Sequence, residues 1–276
     1  MIAEKIRAYL DGKRETFSDS VEQLLLEEGT MLFHESLKRL LFSEDRDSKG
    51  KLYMSAGGAC ARKTAYSYHG FEPKGRKIDS RSRFNFFMGD MVELAIVLLA
   101  SKAGVDIRKF GTDQMRAILE VQGGEVSGRP DGLIANGHEV MLLEVKSMST
   151  FGFRLFESKG EISYEYLAQV NNYMEALNVS RCVFIGVCKD TGVYKEKIVE
   201  KDHDIILANK LNCISVLQST PEKLPPPDSR FNFNPVTREY PWQCCYCSYW
   251  KTCRTNAEYV LVKKSNKLVE KPKELV

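Results

Sequence analysis

The spacing of apolar residues changes along the chain from a helical to a strand period. Residues 2–43 and the segment NFFMGDMVELAIVLLASKAG carry apolar side chains at helical intervals, which predicts an N-terminal helical cap and then a long apolar helix. Between about residues 105 and 146 the runs are short and either alternating or β-branched, as in EVMLLEVKS. These runs predict strands, which we expect to form one sheet.

The second half of the chain alternates the two patterns. Helical spacing returns at residues 164–177 and at DHDIILANKLNCISVLQ, while RCVFIGVCK and GVYKEKIVE between them are typical of neighbouring strands. Strands that alternate with helices predict the α/β class, with a mixed central sheet flanked by helices.

Six prolines between residues 220 and 242 exclude regular structure there and predict a strap that wraps over the body. The strap returns the last cysteines towards the body, and the lysine-rich segment after it is expected to fray. We therefore expect a helical cap at residues 1–58, a main domain at 59–262 closed by a cysteine cluster, and a tail at 263–276.

Charge and hydropathy limit the classes of function. The formal net charge is +3, from 40 basic and 37 acidic residues, so net charge alone does not indicate a nucleic-acid partner. The chain shows no N-terminal apolar signal region and no apolar run of spanning length, which predicts a cytoplasmic protein without a membrane partner. A local basic group precedes the long apolar helix and is either a DNA-phosphate contact or a solvated loop: Arg76, Lys77, Arg81 and Arg83.

The segment GRPDGLIANGHEVMLLEVKS predicts a hairpin that gathers acidic residues. Asp131 begins one predicted strand, Glu144 and Lys146 end the next, and Asn136-Gly137 supplies the turn. Residues two apart share a face, so Glu144 and Lys146 point the same way while Val145 points into the core. Mg²⁺ prefers carboxylate and carbonyl oxygens, so Asp131, Glu144 and the Val145 carbonyl form a candidate metal site. The Lys146 ammonium beside that site can stabilise negative charge.

Two further pairs lie four residues apart on predicted helices. Gly89 and Glu93 share one face of the long apolar helix, which leaves space for a ligand beside the glutamate. Gln169 and Tyr173 present an amide and a phenol side by side on the later helix. The alternative for each of these residues is a purely structural ion pair or hydrogen bond.

In chain order, the GxxxE, PD, ExK and QxxxY pieces resemble the PD-(D/E)XK nuclease superfamily, RecB-type branch. The resemblance implies a restriction-endonuclease-like fold and DNA hydrolysis that depends on Mg²⁺ or Mn²⁺. Glu93 departs from the CRISPR-associated iron-sulfur nucleases, which usually have histidine there, and is more like the phage recombination exonucleases. The implied catalytic residues are Asp131, Glu144, Lys146, Gln169 and Tyr173, and the implied metal ligands are Glu93, Asp131, Glu144 and Val145.

Three of the eight cysteines form a C-x2-C-x5-C pattern near the C-terminus, at Cys244, Cys247 and Cys253. Cytosolic proteins rarely carry disulfide frameworks, so these clustered thiols point to metal or redox chemistry, and a zinc ion or a four-iron cluster needs a fourth thiolate. Cys60 resembles the early cysteine of the AddB and CRISPR-associated iron-sulfur nucleases. That resemblance implies a [4Fe-4S] cluster on Cys60, Cys244, Cys247 and Cys253. Structural Zn²⁺ is the alternative metal, and Cys245 is the alternative to Cys244.

The resemblance implies a DNA exonuclease that acts in recombination, repair or phage DNA processing. Its expected substrate is DNA with a free end or single-stranded DNA, and a helicase or recombinase is a candidate partner. A non-catalytic DNA-binding subunit or scaffold of a helicase-nuclease complex is the first alternative, and intact Asp131, Glu144 and Lys146 disfavour it. A redox-sensing cluster protein is the second, and it leaves the segment from PD to EVK unexplained.

Overall fold

Helices and strands alternate through the computed structural model, which describes residues 2–12, 19–42, 48–75, 78–110, 114–227, 229–262 and 265–271. The helices are α1 (Ile2–Leu10), α2 (Asp19–Phe42), α3 (Ala61–Tyr68), α4 (Ser80–Lys102), α5 (Thr150–Lys159), α6 (Tyr164–Ala176), α7 (His203–Leu217), α8 (Trp242–Cys245) and α9 (Trp250–Cys253), with short 3-10 helices at Met54–Ala56 and Ser229–Phe231. The strands are β1 (Leu52–Tyr53), β2 (Asp106–Arg108), β3 (Ala117–Val121), β4 (Gly124–Gly128), β5 (Gly132–Asn136), β6 (Glu139–Met148), β7 (Arg181–Cys188), β8 (Tyr194–Glu200), β9 (Ala257–Val262) and β10 (Ser265–Glu270).

A five-stranded sheet in the order β2-β5-β6-β7-β8 forms the centre of the fold. β6 and β7 run parallel, and the other neighbouring strands run antiparallel. The apolar run of β7 is buried from Cys182 to Cys188, as a strand covered on both faces requires. α1 and α4 cover one face of the sheet, and α5 and α6 cover the other. The predicted α/β class with a mixed central sheet flanked by helices is therefore confirmed.

β3 and β4 lie outside this central sheet. They pair with each other, and β4 also pairs with β1, which makes a separate three-stranded sheet. The expectation that all strands between residues 105 and 146 share one sheet is therefore wrong. Pro130 accounts for the difference, because proline cannot donate to a strand ladder and so divides the run into β4 and β5. Asp131 lies in the connection where the chain passes from one sheet to the other.

The two N-terminal helices, α1 and α2, both pack against α4. α2 packs along α4, where Gly29 permits a close approach, because a Cβ at that position would lie 3.0 Å from Leu98. α1 packs on α4 and β8 with Ile2 and Ile6 buried. The later part of residues 1–58 belongs to the main body, since β1 pairs with β4.

α4 has the length and apolar composition of a helix that could cross a membrane, so the expectation that no such run exists is corrected. In this fold the helix covers the central sheet, and Ile96, Val97 and Ala100 are buried in that contact. The same helix carries Asp90 and Glu93, which line a large cavity. α4 therefore serves both the core and the candidate site.

The C-terminal segment forms a hairpin where the lysine-rich composition predicts a frayed tail. β9 and β10 pair antiparallel, with Ala257 opposite Glu270 and Val262 opposite Ser265. Leu268 is fully buried and belongs to the same apolar cluster as Cys245 and Trp250. This burial depends on contacts with α8 and α9, which local composition does not reveal.

Leu268→Ala is expected to destabilise the protein by about 2–5 kcal/mol, because it removes a fully buried side chain and leaves a cavity. Urea denaturation measures this change. Val260→Ala on the paired strand is the matched control, since Val260 is exposed, and should change stability by less than about 1 kcal/mol. Equal stability of wild type and Leu268→Ala would contradict the hairpin.

Candidate active site and cysteine cavity

The β5–β6 hairpin places Asp131 beside Glu144, as the sequence predicts. Gly132 pairs with Leu143, so the preceding and following residues face each other across the hairpin. The Val145 N–H donates a hydrogen bond to Asp131 Oδ2 at 2.7 Å, which fixes the carboxylate against β6. At the other end, Gly137 adopts a φ of +62°, a conformation that suits glycine in a tight turn.

Both carboxylates of this pair are buried. Glu144 is 0% exposed and Asp131 is 7% exposed. Lys146 forms an ion pair with Glu144 Oε1. Across the described ranges, neither Glu144 oxygen receives a hydrogen bond of regular geometry. A buried carboxylate with unfilled acceptor positions is costly, and a cation is the usual compensation.

A third acid, Glu93, lies close enough to change the pKa of Asp131. Burial raises the pKa of Asp131 well above its usual range, and the charges of Glu144 and Glu93 raise it further. The ammonium of Lys146 and the Val145 hydrogen bond act in the opposite direction. The carboxylates of Glu93, on α4, and Glu144, on β6, therefore both influence Asp131, although among the described residues the three acids do not stand close enough to hold one ion between them.

Lys146 keeps its positive charge in this site. Burial by itself would lower the pKa of the ammonium, but the carboxylates of Glu144 and Asp131 outweigh burial and raise the pKa above its ordinary value. The Lys146 Nζ atom also lies 5.5 Å from the centre of the Tyr166 ring. The site therefore offers a fixed cation beside two buried acids.

Gln169 and Tyr173 lie next to the same connection, on α6. The Tyr173 hydroxyl donates to the Arg129 carbonyl at 2.9 Å, and the Gln169 amide contacts that hydroxyl at 3.4 Å. Burial, followed by the charge of Glu144, raises the pKa of Tyr173, so the phenol stays neutral and acts as a donor. A Cβ at Gly128 would lie 2.7 Å from the Tyr173 ring, so only glycine allows this approach. Tyr173 therefore holds the backbone that leads to Asp131.

A cavity of about 1130 Å³ opens beside these groups. It is bounded by α2, α4, the β1–β4–β3 sheet and α6. Its lining includes four residues that the sequence singled out, Glu93, Asp131, Gln169 and Tyr173. It also includes charged residues that sequence reasoning missed, because no local motif marks them: Glu35, Lys51, Asp90, Arg116, Glu125 and Arg129.

The predicted basic group lies only partly within the described residues. Arg81 is exposed and Arg83 is half-buried in the first turn of α4, and neither lines the cavity. Arg83 is ten residues before Glu93, which corresponds to about 15 Å along a helix. Arg76 and Lys77 lie outside the residues that the structure describes.

The four predicted cluster ligands surround a second cavity, of about 300 Å³. Cys60 is the N-cap of α3, while Cys244 and Cys253 belong to α8 and α9, with Cys247 in the loop between them. Cys245 points elsewhere, because its Sγ accepts a hydrogen bond from the Leu268 N–H at 3.2 Å in the β10 contact. Cys244 is therefore the better placed of the two adjacent cysteines.

The thiols of this cavity interact electrostatically. Burial raises the pKa of Cys244 to about 11, and burial likewise raises the pKa of Cys247 and Cys253. Neighbouring thiolates raise these three pKa values further. Nearby cations lower them: Arg254 acts on Cys244 and Cys253, Lys63 on Cys247, and Arg62 on Cys253. Within the described ranges, no three His, Cys, Asp or Glu side chains stand close enough to hold a single ion.

Arginines tie the proline-rich strap over this cavity. Arg62 donates to the Pro225 carbonyl at 2.7 Å, and Arg254 donates to the Phe231 carbonyl at 2.9 Å. Arg230 reaches back to the Gly58 carbonyl at 3.2 Å and lies 4.1 Å from the centre of the Tyr164 ring on α6. The strap thus brings the last cysteines back towards the body, as the proline pattern predicts, and there they line the same cavity as Cys60.

No protein-family model and no curated protein matches the sequence. Among solved structures, the crystal structure of SSO0001 matches with a TM-score of 0.51 and 16% identity, over 81% of this chain and 94% of that chain. The alkaline exonuclease LHK-Exo in complex with dAMP matches with a TM-score of 0.45 and 18% identity, over 61% of this chain and 86% of that chain. LHK-Exo from Laribacter hongkongensis also matches with a TM-score of 0.43 and 19% identity, over 62% and 87%. At these identities the likeness to SSO0001 shows a common fold and nothing about activity.

Tyr173→Phe is expected to lower the free energy of unfolding by about 0.5–1.5 kcal/mol, because the Arg129 carbonyl loses its 2.9 Å donor in a partly buried position. Thermal or urea denaturation measures this loss. Tyr164→Phe, on a half-buried residue of the same helix, is the matched control and should change stability by less than about 0.5 kcal/mol. If the two variants were equally stable, the hydroxyl would have no positioning role.

Proposed function

We propose that this protein is a metal-dependent deoxyribonuclease of the PD-(D/E)XK superfamily, RecB-type branch. The observation that supports this most strongly is the buried pair of Asp131 and Glu144 beside the Lys146 ammonium, with Asp131 and Glu93 both lining a large cavity. Hydrolysis of a phosphodiester bond needs stabilisation of negative charge and an activated water molecule. These residues supply groups for both requirements.

The oxygen ligands of these residues would suit a divalent cation of the Mg²⁺ or Mn²⁺ type, which would have to draw them together, since no three such side chains in the described chain stand close enough to hold one ion. The buried Glu144 carboxylate supports such an ion, because neither of its oxygens accepts a regular hydrogen bond from a described residue. Glu93, Asp131, Glu144 and the Val145 carbonyl would hold the ion, and oxygen donors of this kind suit hard cations. When bound, such an ion polarises a phosphate oxygen and lowers the pKa of a coordinated water.

The side chains around this position have separate roles in the proposal. Lys146 keeps its proton beside the carboxylates, so its ammonium orients the attacking water and stabilises charge on the phosphate oxygens. Gln169 lines the cavity and presents its amide to the substrate. Tyr173 acts with it through the hydrogen bond that positions the Arg129–Asp131 segment.

The finer assignment is an exonuclease that acts on DNA with a free end or on single-stranded DNA in the cytoplasm. Its context would be recombination, repair or phage DNA processing, with a helicase or recombinase as partner. The ordered GxxxE, PD, ExK and QxxxY pieces support this assignment through the family resemblance. Arg81 and Arg83 in the first turn of α4 would contact DNA phosphates, together with two basic residues that precede this helix in the sequence, Arg76 and Lys77.

The alternative is a non-catalytic DNA-binding subunit or scaffold of a helicase-nuclease complex. A scaffold needs the fold but has no use for two adjacent buried acids that share one ammonium, because such a pair costs stability. The buried Glu144 and Asp131 therefore favour the enzyme.

We further propose that Cys60, Cys244, Cys247 and Cys253 hold a [4Fe-4S] cluster. A zinc ion with bonds of about 2.3 Å would need the four thiolates drawn tightly around one point. The cavity of about 300 Å³ between the four cysteines leaves room for a larger cluster, which favours [4Fe-4S] over structural Zn²⁺. Arg62, Lys63 and Arg254 would balance its negative charge. The cluster would close the strap without taking part in hydrolysis.

Glu144→Gln and Lys146→Ala are each expected to lower the rate of DNA cleavage by about 10³-fold or more, since each removes a charge at the reacting phosphate. Release of nucleotides from end-labelled DNA measures the rate, and EDTA should stop it until Mg²⁺ or Mn²⁺ is restored.

The fold should survive Glu144→Gln, because a neutral amide is easier to bury than an unpaired carboxylate. Lys159→Ala, which removes an exposed cation from α5, is the control and should cleave at the wild-type rate. Wild-type cleavage by Lys146→Ala would reject this active site.

Anaerobically purified protein is expected to be brown, with about four irons per chain, as thiolate ligation of a [4Fe-4S] centre requires. Cys60→Ala should be colourless and less stable, because joining Cys60 to cysteines near residue 250 closes a very long loop. The cross-link model gives about 4–5 kcal/mol as an upper guide to this effect.

Cys245→Ala is the matched control for the cluster variant. It should lose some stability, because Cys245 is buried against β10, but it should keep its iron and its colour. Stoichiometric zinc without iron in the wild type would reject the cluster. The colour should also persist when EDTA has stopped cleavage, since hydrolysis and the cluster use different metals.

A further inference from the structure

The larger cavity has a negative charge balance, although the proposed substrate is itself a polyanion. Among the residues that the structure describes, five carboxylates line it against three basic side chains. A phosphodiester that enters such a cavity is repelled unless a cation is available to bind it. The acidic residues are Glu35, Asp90, Glu93, Glu125 and Asp131, and the basic residues are Lys51, Arg116 and Arg129.

Two of the three basic side chains are already engaged. The Arg116 guanidinium lies 2.8 Å from the Glu125 carboxylate, and Lys51 has an interaction partner of its own. Arg129 differs from both, because it is exposed and its side chain has no hydrogen bond or ion pair with any described residue. Its guanidinium is therefore available to an incoming anion.

The backbone of Arg129 is held rigidly beneath this available side chain. Its carbonyl accepts the Tyr173 hydroxyl at 2.9 Å, and Gly128 before it lies directly against the Tyr173 ring. Pro130 after it fixes one backbone dihedral, and the Pro130 carbonyl accepts the Gln114 amide at 2.7 Å. A fixed backbone reduces the entropy lost when a side chain binds its ligand.

We propose that Arg129 is the phosphate-binding residue of this cavity and binds a backbone phosphate of the nucleic acid beside the bond to be cleaved. It precedes Asp131 by two residues and lines the same cavity as Asp131 and Glu93. A guanidinium offers paired donors that match two phosphate oxygens, which a lysine cannot reproduce. The inference rests on the proposed nuclease function and adds a substrate-binding residue to it.

Arg129→Gln tests this role, because it removes the charge and leaves the carbonyl that Tyr173 holds. Binding is measured with a labelled single-stranded DNA oligonucleotide in the cleavage-deficient Glu144→Gln background, and cleavage is measured in the otherwise wild-type chain. We expect affinity to fall by about tenfold or more, as for loss of a hydrogen-bonded charge. The slope of log affinity against log salt should fall by about 0.7, the value for one released counterion on single-stranded DNA.

Two further variants separate this role from a general charge effect. Arg108→Gln removes the same charge from an exposed ion pair with Asp106 outside the cavity, so it should change affinity by less than about twofold. Arg129→Lys should restore the salt slope but only part of the affinity, since the paired donors are lost.

The outcomes separate this inference from the proposed function. If wild-type protein cleaves DNA and Arg129→Gln binds and cleaves equally well, the role of Arg129 is rejected and the nuclease stands. If wild-type protein binds DNA without cleaving it and Arg129→Gln loses that binding, the phosphate site stands and the nuclease is rejected. If wild-type protein neither binds nor cleaves DNA, both are overturned.

Discussion

Burial of the Glu144 carboxylate beside Asp131 is the constraint on which the surrounding structure depends. One ammonium, Lys146, faces two buried acids, and Glu93 adds a third negative charge nearby. Such an excess of charge in a poorly hydrated place opposes folding unless a cation compensates for it. Apolar side chains in these positions would give a more stable sheet. The arrangement therefore favours ligand binding at the expense of stability.

The fold supplies this charge cluster at the point where two sheets meet. Pro130 ends one strand run, so Asp131 lies in the connection between β4 and β5 instead of inside a ladder. Tyr173, on α6, holds the connection through its hydrogen bond to the Arg129 carbonyl. α4 packs against β6 and carries Glu93. α4, α6 and β6, which carry these side chains, all contribute residues to the hydrophobic core, and the cavity opens beside them.

Local patterns predicted the parts of this arrangement that depend on neighbours in sequence. The hairpin, its turn at Gly137, and the shared face of Glu144 and Lys146 follow from strand periodicity and turn chemistry. The division into two sheets and the burial of Leu268 did not follow, because both depend on partners distant in the chain. The charged lining of the cavity was missed for the same reason, because it is assembled from segments distant in the chain. Arg129 and Arg116, for example, belong to no motif.

The two cavities share one wall, the helix α6. Tyr166 lines the cysteine cavity, and its ring centre lies 5.5 Å from the Lys146 ammonium. Gln169 and Tyr173 continue along the same helix to the Asp131 connection, while Arg230 of the strap packs on Tyr164 at its start. Because one helix packs against the strap, lines the cysteine cavity and holds the connection that leads to Asp131, a shift of this helix would affect both cavities.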